Sequence, residues 1–175
     1  ARDHHWNHHG ARTMARMTAE VIREQPSYKQ LESKRYESVW VENQHNEGSY
    51  TRAANQLCDA GFRSEPYKIY QTSEVDADLF GSASDAQSIT LVGTSNSSGK
   101  LRLNFSGFLS HYAKSGVLNM AESGGGYDTA IVNYLSSKDF KHNPPKFLVW
   151  ELPSYYSLND PKFFATLFRS LGGES

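Results

Sequence analysis

Long apolar runs, excess charge and cysteine are all scarce in this sequence of 175 residues. No stretch approaches the roughly 20 apolar residues that a helix needs to span a bilayer. The formal net charge is −1, which removes any global electrostatic case for binding nucleic acid. The single cysteine, Cys58, has no partner for a disulfide within the chain. Its thiol is therefore either buried among apolar residues, which we expect from the residue type, or bridged to another segment.

Aromatic residues are abundant by contrast, since Phe, Trp and Tyr make up 13% of the chain. Such an excess beside many polar residues suits a protein that faces carbohydrate, although a packed core uses the same side chains. The length is that of one domain and allows a sizeable core. Because the chain begins at Ala1, without a methionine or a signal peptide, we expect this to be a cut end.

The stretch that begins at Ile89 organises the predicted fold. The run Ile89–Val92 is typical of a strand buried on both faces, and it stops at Gly93-Thr94-Ser95. A segment with helical spacing follows from Phe105. Ser95 is thus predicted at the carboxyl end of a strand, where open α/β sheets bind ligands and a helix N-terminus favours negative charge. Ser95 is our candidate nucleophile, and it needs a base from elsewhere in the chain.

Strands and helices alternate over the second half of the chain. Two further strands are predicted at Val117–Met120 and Phe147–Trp150, helices at Phe105–Ser115, Asp128–Ser136 and Asp160–Leu171, and a loop at Phe140–Pro145. The first half holds an amphipathic helix at Ala11–Glu24 and an insertion-like middle with strands at Ser38–Glu42 and Tyr67–Tyr70 and a helix at Tyr50–Cys58. The alternation predicts an α/β fold with a mostly parallel sheet covered on both faces.

Histidines and one aspartate crowd the first ten residues, which read A-R-D-H-H-W-N-H-H-G. A helix follows, so we place the cluster on a loop from which side chains can be aimed at a neighbouring site. We predict that His5 takes the proton of Ser95 and that Asp3 orients the imidazole and stabilises its cation. The order Asp, His, Ser along the chain is no objection, because a triad is defined by the roles of its members.

The ends of the other two strands supply the rest of the predicted site. Gly124-Gly125-Gly126 follows the second strand, and Glu151 follows the third. The backbone N–H of Ser95 and one from the glycine loop are natural oxyanion donors. We therefore predict oxyanion or substrate contacts for Gly125, Gly126, Tyr127 and Glu151. A plainer interpretation stays open, in which the glycines permit a sharp turn and Trp150-Glu151 is core plus a helix-capping carboxylate.

Two alternatives to this chemistry also stay open. His111 is the second candidate for the base, although its expected position in the middle of a helix makes it the weaker one. A metal site would combine Asp3 with His5, His8 or His9, because nitrogen and carboxylate ligands suit zinc. We predict no metal, since nothing else in the chain supplies a matching pair of ligands, and we predict no cofactor.

Several segments together form a specific set of motifs. Arg2–Asn7 followed by Gly10-Ala11 fits the pattern Asp-x-His-Trp-[Thr/Asn]-x-x-Gly-Ala, and Leu91–Ser97 with Asn104–Leu109 fits a nucleophile block. The set continues with Gly124–Tyr127, Pro144–Lys146 and Val149–Glu151. In this combination the chain resembles the SGNH-like polysaccharide O-acetyltransferases over most of its length.

The resemblance implies a three-layer α/β/α domain of the SGNH-hydrolase type and an acetyl-transfer enzyme of alginate biosynthesis. By position it makes Ser95 the nucleophile, His5 the base and Asp3 the orienting acid. The implied acceptor is the mannuronate residues of exported polymannuronate, and the implied compartment is the periplasm of a Gram-negative bacterium. The implied partners are a membrane-associated protein that supplies the acetyl donor and other proteins of the alginate export complex.

The resemblance also implies that residues 1–175 are part of a longer protein. In that family a segment with the first part of the catalytic domain precedes this region, and a carbohydrate-binding module follows it. A cysteine placed like Cys58 pairs there with one in the preceding segment, so the resemblance favours a half-bridge over a buried thiol. Two rival functions remain: a carbohydrate O-acetyl esterase with the same triad, and a polysaccharide-binding protein whose triad is vestigial.

Overall fold

A computed structural model describes residues 3–75, 88–99, 102–157 and 161–171. Its helices are α1 (His8–Glu24), α2 (Ser49–Cys58), α3 (Phe105–Ala113), α4 (Thr129–Ser136), α5 (Lys138–His142) and α6 (Pro161–Ser170), and a 3₁₀ helix covers Pro26–Gln30. Its strands are β1 (Tyr36–Asn46), β2 (Glu65–Glu74), β3 (Ile89–Val92), β4 (Val117–Asn119) and β5 (Phe147–Trp150). Within these ranges, none of the helices has the length and apolarity that a membrane crossing requires.

Three parallel strands form the central sheet, in the order β4-β3-β5. Ile89 of β3 lies opposite Val117 on one side and Phe147 on the other. All four residues of β3 are buried, as expected for a middle strand with helices on both faces. The predicted α/β class with a parallel sheet is confirmed, and the carboxyl ends of the three strands meet at one edge.

The side chains of β3 point alternately to the two faces of the central sheet, and helices cover both faces. Ile89 and Leu91 are buried in a core cluster with residues of α1 and α3. Val92 is buried in a second cluster with residues of α4, and Thr90 exchanges a hydrogen bond of 3.1 Å with the Tyr134 hydroxyl of that helix. Successive residues of a strand point to opposite faces, so this short run holds helices against both sides of the sheet.

Helix α1 places the N-terminal loop at the edge of the sheet. Ala11, Ala15 and Ala19 are fully buried, and their small side chains let α1 pack closely against α3. The helix begins at His8 rather than at the predicted Ala11, because the Asn7 side chain accepts hydrogen bonds from the first backbone N–H groups of the helix. His8 and His9 therefore belong to the first helical turn, whereas residues 3–7 precede it.

The middle of the chain forms a long antiparallel pair of strands, β1 and β2, with α2 between them in sequence. Both strands extend well beyond the predicted runs, and the pairing has an irregularity between Trp40 and Glu42. The pair packs against α3: the Tyr70 and Phe108 rings lie 5.5 Å apart, and Asn104 donates a hydrogen bond of 2.9 Å to Thr72. The insertion-like middle is therefore joined to the core of the domain.

Two sequence-based expectations about this scaffold need correction, and a third is only partly covered by the structure. Cys58 is exposed at the last residue of α2, so the expected burial of its thiol is wrong. The predicted loop at Phe140–Pro145 overlaps the short helix α5, which the Ser137 side chain caps at its N-terminus. The last helix begins at Pro161, while the predicted initiating residue Asp160 lies outside the described residues.

Candidate active site

The side chains of Asp3, His5 and Ser95 form a continuous chain of contacts at the carboxyl end of β3. His5 Nε2 lies 2.8 Å from Ser95 Oγ, and His5 Nδ1 lies 2.6 Å from Asp3 Oδ1. The side chains of His5 and Asp3 are only 16% and 11% exposed, so bulk water has little access to the pair. The structure thus brings together the three residues selected from the sequence.

The hydrogen bonds around Asp3 fix both its charge and the tautomer of His5. Burial raises the pKa of the Asp3 carboxyl, but hydrogen bonds from the His5 backbone and ring and from the Ser49 backbone N–H outweigh it, and the pKa lies below the ordinary 3.8. The second oxygen also accepts a bond of 3.3 Å from Asn46. An ionised Asp3 can only accept hydrogen bonds, so it favours the His5 tautomer that carries its proton on Nδ1 and presents Nε2 to Ser95 Oγ.

Trp6 ties the N-terminal loop to the residue that follows Ser95. Its backbone N–H donates to the Asn96 side chain at 3.2 Å, and its indole Nε1 donates to the Asn96 carbonyl at 2.9 Å. The indole also packs against Phe105 at the start of α3, with ring centroids 4.9 Å apart. These contacts keep the His5 side chain next to that of Ser95. Sequence reasoning did not assign a role to Asn96, and only its position beside Ser95 could have suggested one.

Glu151 lies beneath the turn that carries Ser95 and is 9% exposed. Its carboxylate accepts hydrogen bonds from the Thr94 backbone N–H at 2.8 Å, the Thr94 hydroxyl at 2.9 Å and the Ser97 hydroxyl at 3.2 Å. A Cβ atom at Gly93 would lie 2.7 Å from a Glu151 oxygen, so only glycine leaves room for it there. Because its oxygens bind the turn, we interpret Glu151 as a positioning residue, and the substrate contact that we predicted for it stays a prediction.

The glycine loop after β4 borders the same edge of the sheet. Gly124 and Gly126 have φ angles of 87° and 70°, which favour glycine, and the Gly125 carbonyl accepts a hydrogen bond from Thr129 in α4. The Tyr127 ring packs 5.2 Å from that of Tyr156. These contacts explain the shape of the loop, and the oxyanion or substrate role of Gly125, Gly126 and Tyr127 stays a prediction.

The segment that enters the glycine loop is fastened to the nucleophile turn. Asn119, at the end of β4, donates a hydrogen bond of 2.8 Å to the Ser97 carbonyl. The Glu122 backbone N–H donates to the Gly93 carbonyl at 3.0 Å. Neither Asn119 nor Glu122 was singled out from the sequence. The turn around Ser95 is therefore held from the β4 side as well as from β5.

The alternative base and the alternative metal site receive less support from the contacts. The His111 ring packs edge-on against Tyr112 within α3, with centroids 5.0 Å apart. The ligand atoms of Asp3, His4 and His5 lie within 4.8 Å of one another, which is close enough for a metal. Both His5 nitrogens, however, already contact Asp3 and Ser95. His8, part of the metal alternative, accepts a hydrogen bond from the Lys68 backbone N–H at 3.3 Å instead.

Two cavities flank the loop of residues 3–7, which carries Asp3 and His5 and which we call the catalytic loop. An open groove of about 480 Å³ lies on the side of His4 and is lined by Trp6, Asn96, Trp150 and Tyr155, among others. A smaller cavity of about 100 Å³ lies on the side of Asp3 and is lined in part by His5, Trp6, His8 and Tyr67. Asn96, the neighbour of Ser95 in sequence, contributes to the lining of the larger groove, which has the volume of a ligand-binding cleft.

Comparison with known families gives one family match. A family model described as the SGNH hydrolase-like domain of acetyltransferase AlgX matches residues 1–154 of the chain. The alginate biosynthesis protein AlgX of Pseudomonas aeruginosa is 38% identical over 166 residues. That match covers 93% of this chain and 34% of the relative, so the chain spans about a third of the relative's length.

Two solved structures share the fold. The structure of Pseudomonas aeruginosa AlgX superposes with a TM-score of 0.84 at 32% identity and covers 99% of this chain and 41% of that one. The O-acetyltransferase domain of Pseudomonas putida AlgJ superposes with a TM-score of 0.76 at 27% identity and covers 97% of this chain and 60% of that one. The SGNH-hydrolase-like fold expected from the sequence is confirmed.

We predict that Glu151→Gln lowers the free energy of unfolding by about 1–3 kcal/mol, because its amide NH₂ would replace an acceptor oxygen that faces Thr94 and Ser97. Urea denaturation measures this loss. The matched control is Glu122→Gln, since the Glu122 carboxylate accepts a hydrogen bond from Asn133 at the surface. Equal stability of the two variants would show that the buried carboxylate does not hold the turn.

A second prediction concerns the pH dependence of the contribution of Asp3. Its pKa is lowered in the folded protein, so its stabilising effect is complete above the unfolded value of 3.8 and is lost as the pH falls through the folded value. The difference in unfolding free energy between the wild type and Asp3→Asn should therefore shrink only below about pH 4. Asp139→Asn, at an exposed carboxylate, controls for the loss of one charge. A difference that stays constant at all acidic pH values would contradict this assignment.

Proposed function

Because the chain belongs to the family of SGNH hydrolase-like acetyltransferase domains typified by AlgX, we propose that it is an O-acetyltransferase acting on an exported polysaccharide. The acceptor that we propose is the mannuronate residues of alginate, and the compartment is the periplasm. The proposal rests on one observation above all, the chain of contacts from Asp3 through His5 to Ser95. Its acetyl donor is supplied by a membrane-associated partner, and other alginate export proteins surround it.

The first half of the reaction transfers acetyl to the enzyme. His5 Nε2 accepts the Ser95 proton while Oγ attacks the carbonyl carbon of the donor, and Asp3 stabilises the imidazolium that forms. The tetrahedral intermediate carries an oxyanion, for which the Ser95 backbone N–H and one from the glycine loop are the donors that we propose; one such donor contributes roughly 3 kcal/mol. The intermediate collapses as His5 protonates the leaving group, which departs and leaves acetyl-Ser95.

The second half delivers the acetyl group to a sugar. A hydroxyl of the acceptor gives its proton to His5 and attacks the acetyl carbonyl carbon of acetyl-Ser95. Collapse of the second tetrahedral intermediate breaks the bond to Oγ, and the proton on His5 returns to Ser95. Water would compete for the same acetyl group, so an enzyme of this kind needs a site that favours the sugar.

The groove beside Ser95 fits such an acceptor. Tyr155 is 57% exposed on its wall, and Trp6 and Trp150 also contribute to the lining. Aromatic faces pack against the apolar faces of sugar rings and leave the hydroxyl groups free to react. The volume of about 480 Å³ lies within the range of ligand-binding clefts. The groove therefore supports a carbohydrate acceptor more than a small alcohol or water.

We expect the protein to release the chromophore of a chromogenic acetyl ester and to transfer acetyl to mannuronate oligomers when these are present. Ser95→Ala should lower both rates by roughly 10³-fold or more, because it removes the nucleophile. Ser136→Ala, at an exposed serine of α4, serves as the control. Chromophore release is followed by absorbance and acetylated oligomers by mass spectrometry.

The outcomes of this experiment separate the rival functions. Free acetate as the sole product, with and without oligomers, would contradict transfer and identify an esterase with the same triad. Binding of oligomers without any Ser95-dependent turnover would identify a polysaccharide-binding protein whose triad is vestigial.

A further inference from the structure

Cationic and aromatic side chains from three elements lie together beside the catalytic loop. His9 and Arg12 belong to the first two turns of α1, Lys68 to β2 and Trp40 to β1, and we call these four residues the cationic face. The Lys68 backbone N–H donates to His8 Nδ1, whose ring lies 4.1 Å from that of His9. Lys68 Nζ lies 6.0 Å from the centre of the Trp40 ring.

Within the described part of the chain, the charges of the cationic face are not paired with carboxylates. Arg12 donates to the Tyr112 hydroxyl at 2.7 Å and lies 5.9 Å from the Phe108 ring centre, and both of these partners are neutral. Among the residues that the structure describes, no carboxylate forms an ion pair with Arg12 or Lys68, whereas Arg16 and Arg52 have such partners.

This arrangement lowers the pKa of His8. Burial lowers the pKa of His8, and the neighbouring charges of His9, Lys68 and Arg12 lower it further. All three neighbours act in the same direction, which places the charged groups of Lys68 and Arg12 near His8. His8 stays neutral below the surface, and Lys68 and Arg12 remain as exposed cations.

We propose that the cationic face binds the carboxylates of an anionic polysaccharide acceptor, a step that rests on the proposed transferase function. The groove beside Ser95 accounts for sugar rings but not for their charge, since none of the residues that line it is Lys or Arg. A polyuronate carries one carboxylate on every sugar, and any cationic partners for these carboxylates have to come from outside the groove. The cationic face begins four residues after His5, and Trp40, which is 56% exposed, adds an aromatic surface for a sugar ring.

The exposure of Arg12 and Lys68 to solvent determines the strength of such binding and its dependence on salt. Each exposed contact is weak and is screened by salt, but a polymer makes several contacts at once, and its effective local concentration raises the total affinity. Affinity should therefore increase with oligomer length and decrease with ionic strength. A neutral oligomer of the same length should lack both the charge-dependent affinity and the salt dependence.

The test measures the binding of a mannuronate hexamer and of the same hexamer with its carboxyl groups reduced to alcohols. All proteins carry Ser95→Ala, so binding is read without turnover. At about 20 mM NaCl, Arg12→Gln/Lys68→Gln should weaken binding of the charged hexamer by roughly fivefold or more and leave the reduced hexamer unchanged. Trp40→Ala should weaken both hexamers. The control, Arg23→Gln/Lys29→Gln, removes the same charge at the last turn of α1 and in the 3₁₀ helix that follows it, and should bind like the parent.

Three results would overturn the proposal: equal binding of the charged and reduced hexamers by the parent, equal weakening by the control pair, or no weakening by Arg12→Gln/Lys68→Gln. The hexamer comparison needs no surface variant, so it decides the question even if a substitution disturbs folding, which circular dichroism reports. Because binding is measured without Ser95, a failure of acetyl transfer alone leaves this result intact, and the two proposals fail separately.

Discussion

The contact of 2.8 Å between His5 Nε2 and Ser95 Oγ joins residues that are 90 positions apart, and the rest of the site depends on it. Closing a loop of that length costs conformational entropy, and one hydrogen bond would not hold it. Packing offsets this cost. The buried alanines of α1 pack against α3, and Trp6 donates two hydrogen bonds to Asn96. The position of the His5 imidazole is thus set by the packed core of the domain, to which residues 3–7 are attached through α1.

Two carboxylates flank the serine and are used in different ways. Asp3 faces the imidazole, and in the mechanism that we propose its ionised carboxylate stabilises the cation that forms when His5 takes a proton. Glu151 faces the backbone of the turn and accepts its N–H and hydroxyl groups. A buried polar group that lost these partners would cost free energy, so Glu151 fixes the conformation of the turn as well as its position. The absent side chain of Gly93 is what lets the carboxylate come so close.

Much of this arrangement could be predicted from local sequence. The β-branched run that ends at Gly93-Thr94-Ser95 has a strand-length apolar pattern, and the resulting strand β3 has the predicted bounds. Other features depend on contacts distant in sequence, which periodicity does not report. The inward direction of Glu151 is set by β5 lying beside β3, and the support that Ser49 gives to Asp3 is set by the hairpin-like β1–β2 pair. The exposed position of Cys58 likewise depends on which face of α2 meets the rest of the domain.

Intact mass spectrometry of the protein after exposure to an activated acetyl ester tests the central claim most directly. The account predicts one added acetyl group in the wild type, located on Ser95 by peptide mapping and released when an acceptor is added. Ser95→Ala should gain none, and His5→Asn should gain it far more slowly because no base activates the hydroxyl. Acetyl found only on lysines, or on Ser95 at the same rate in His5→Asn, would contradict the account.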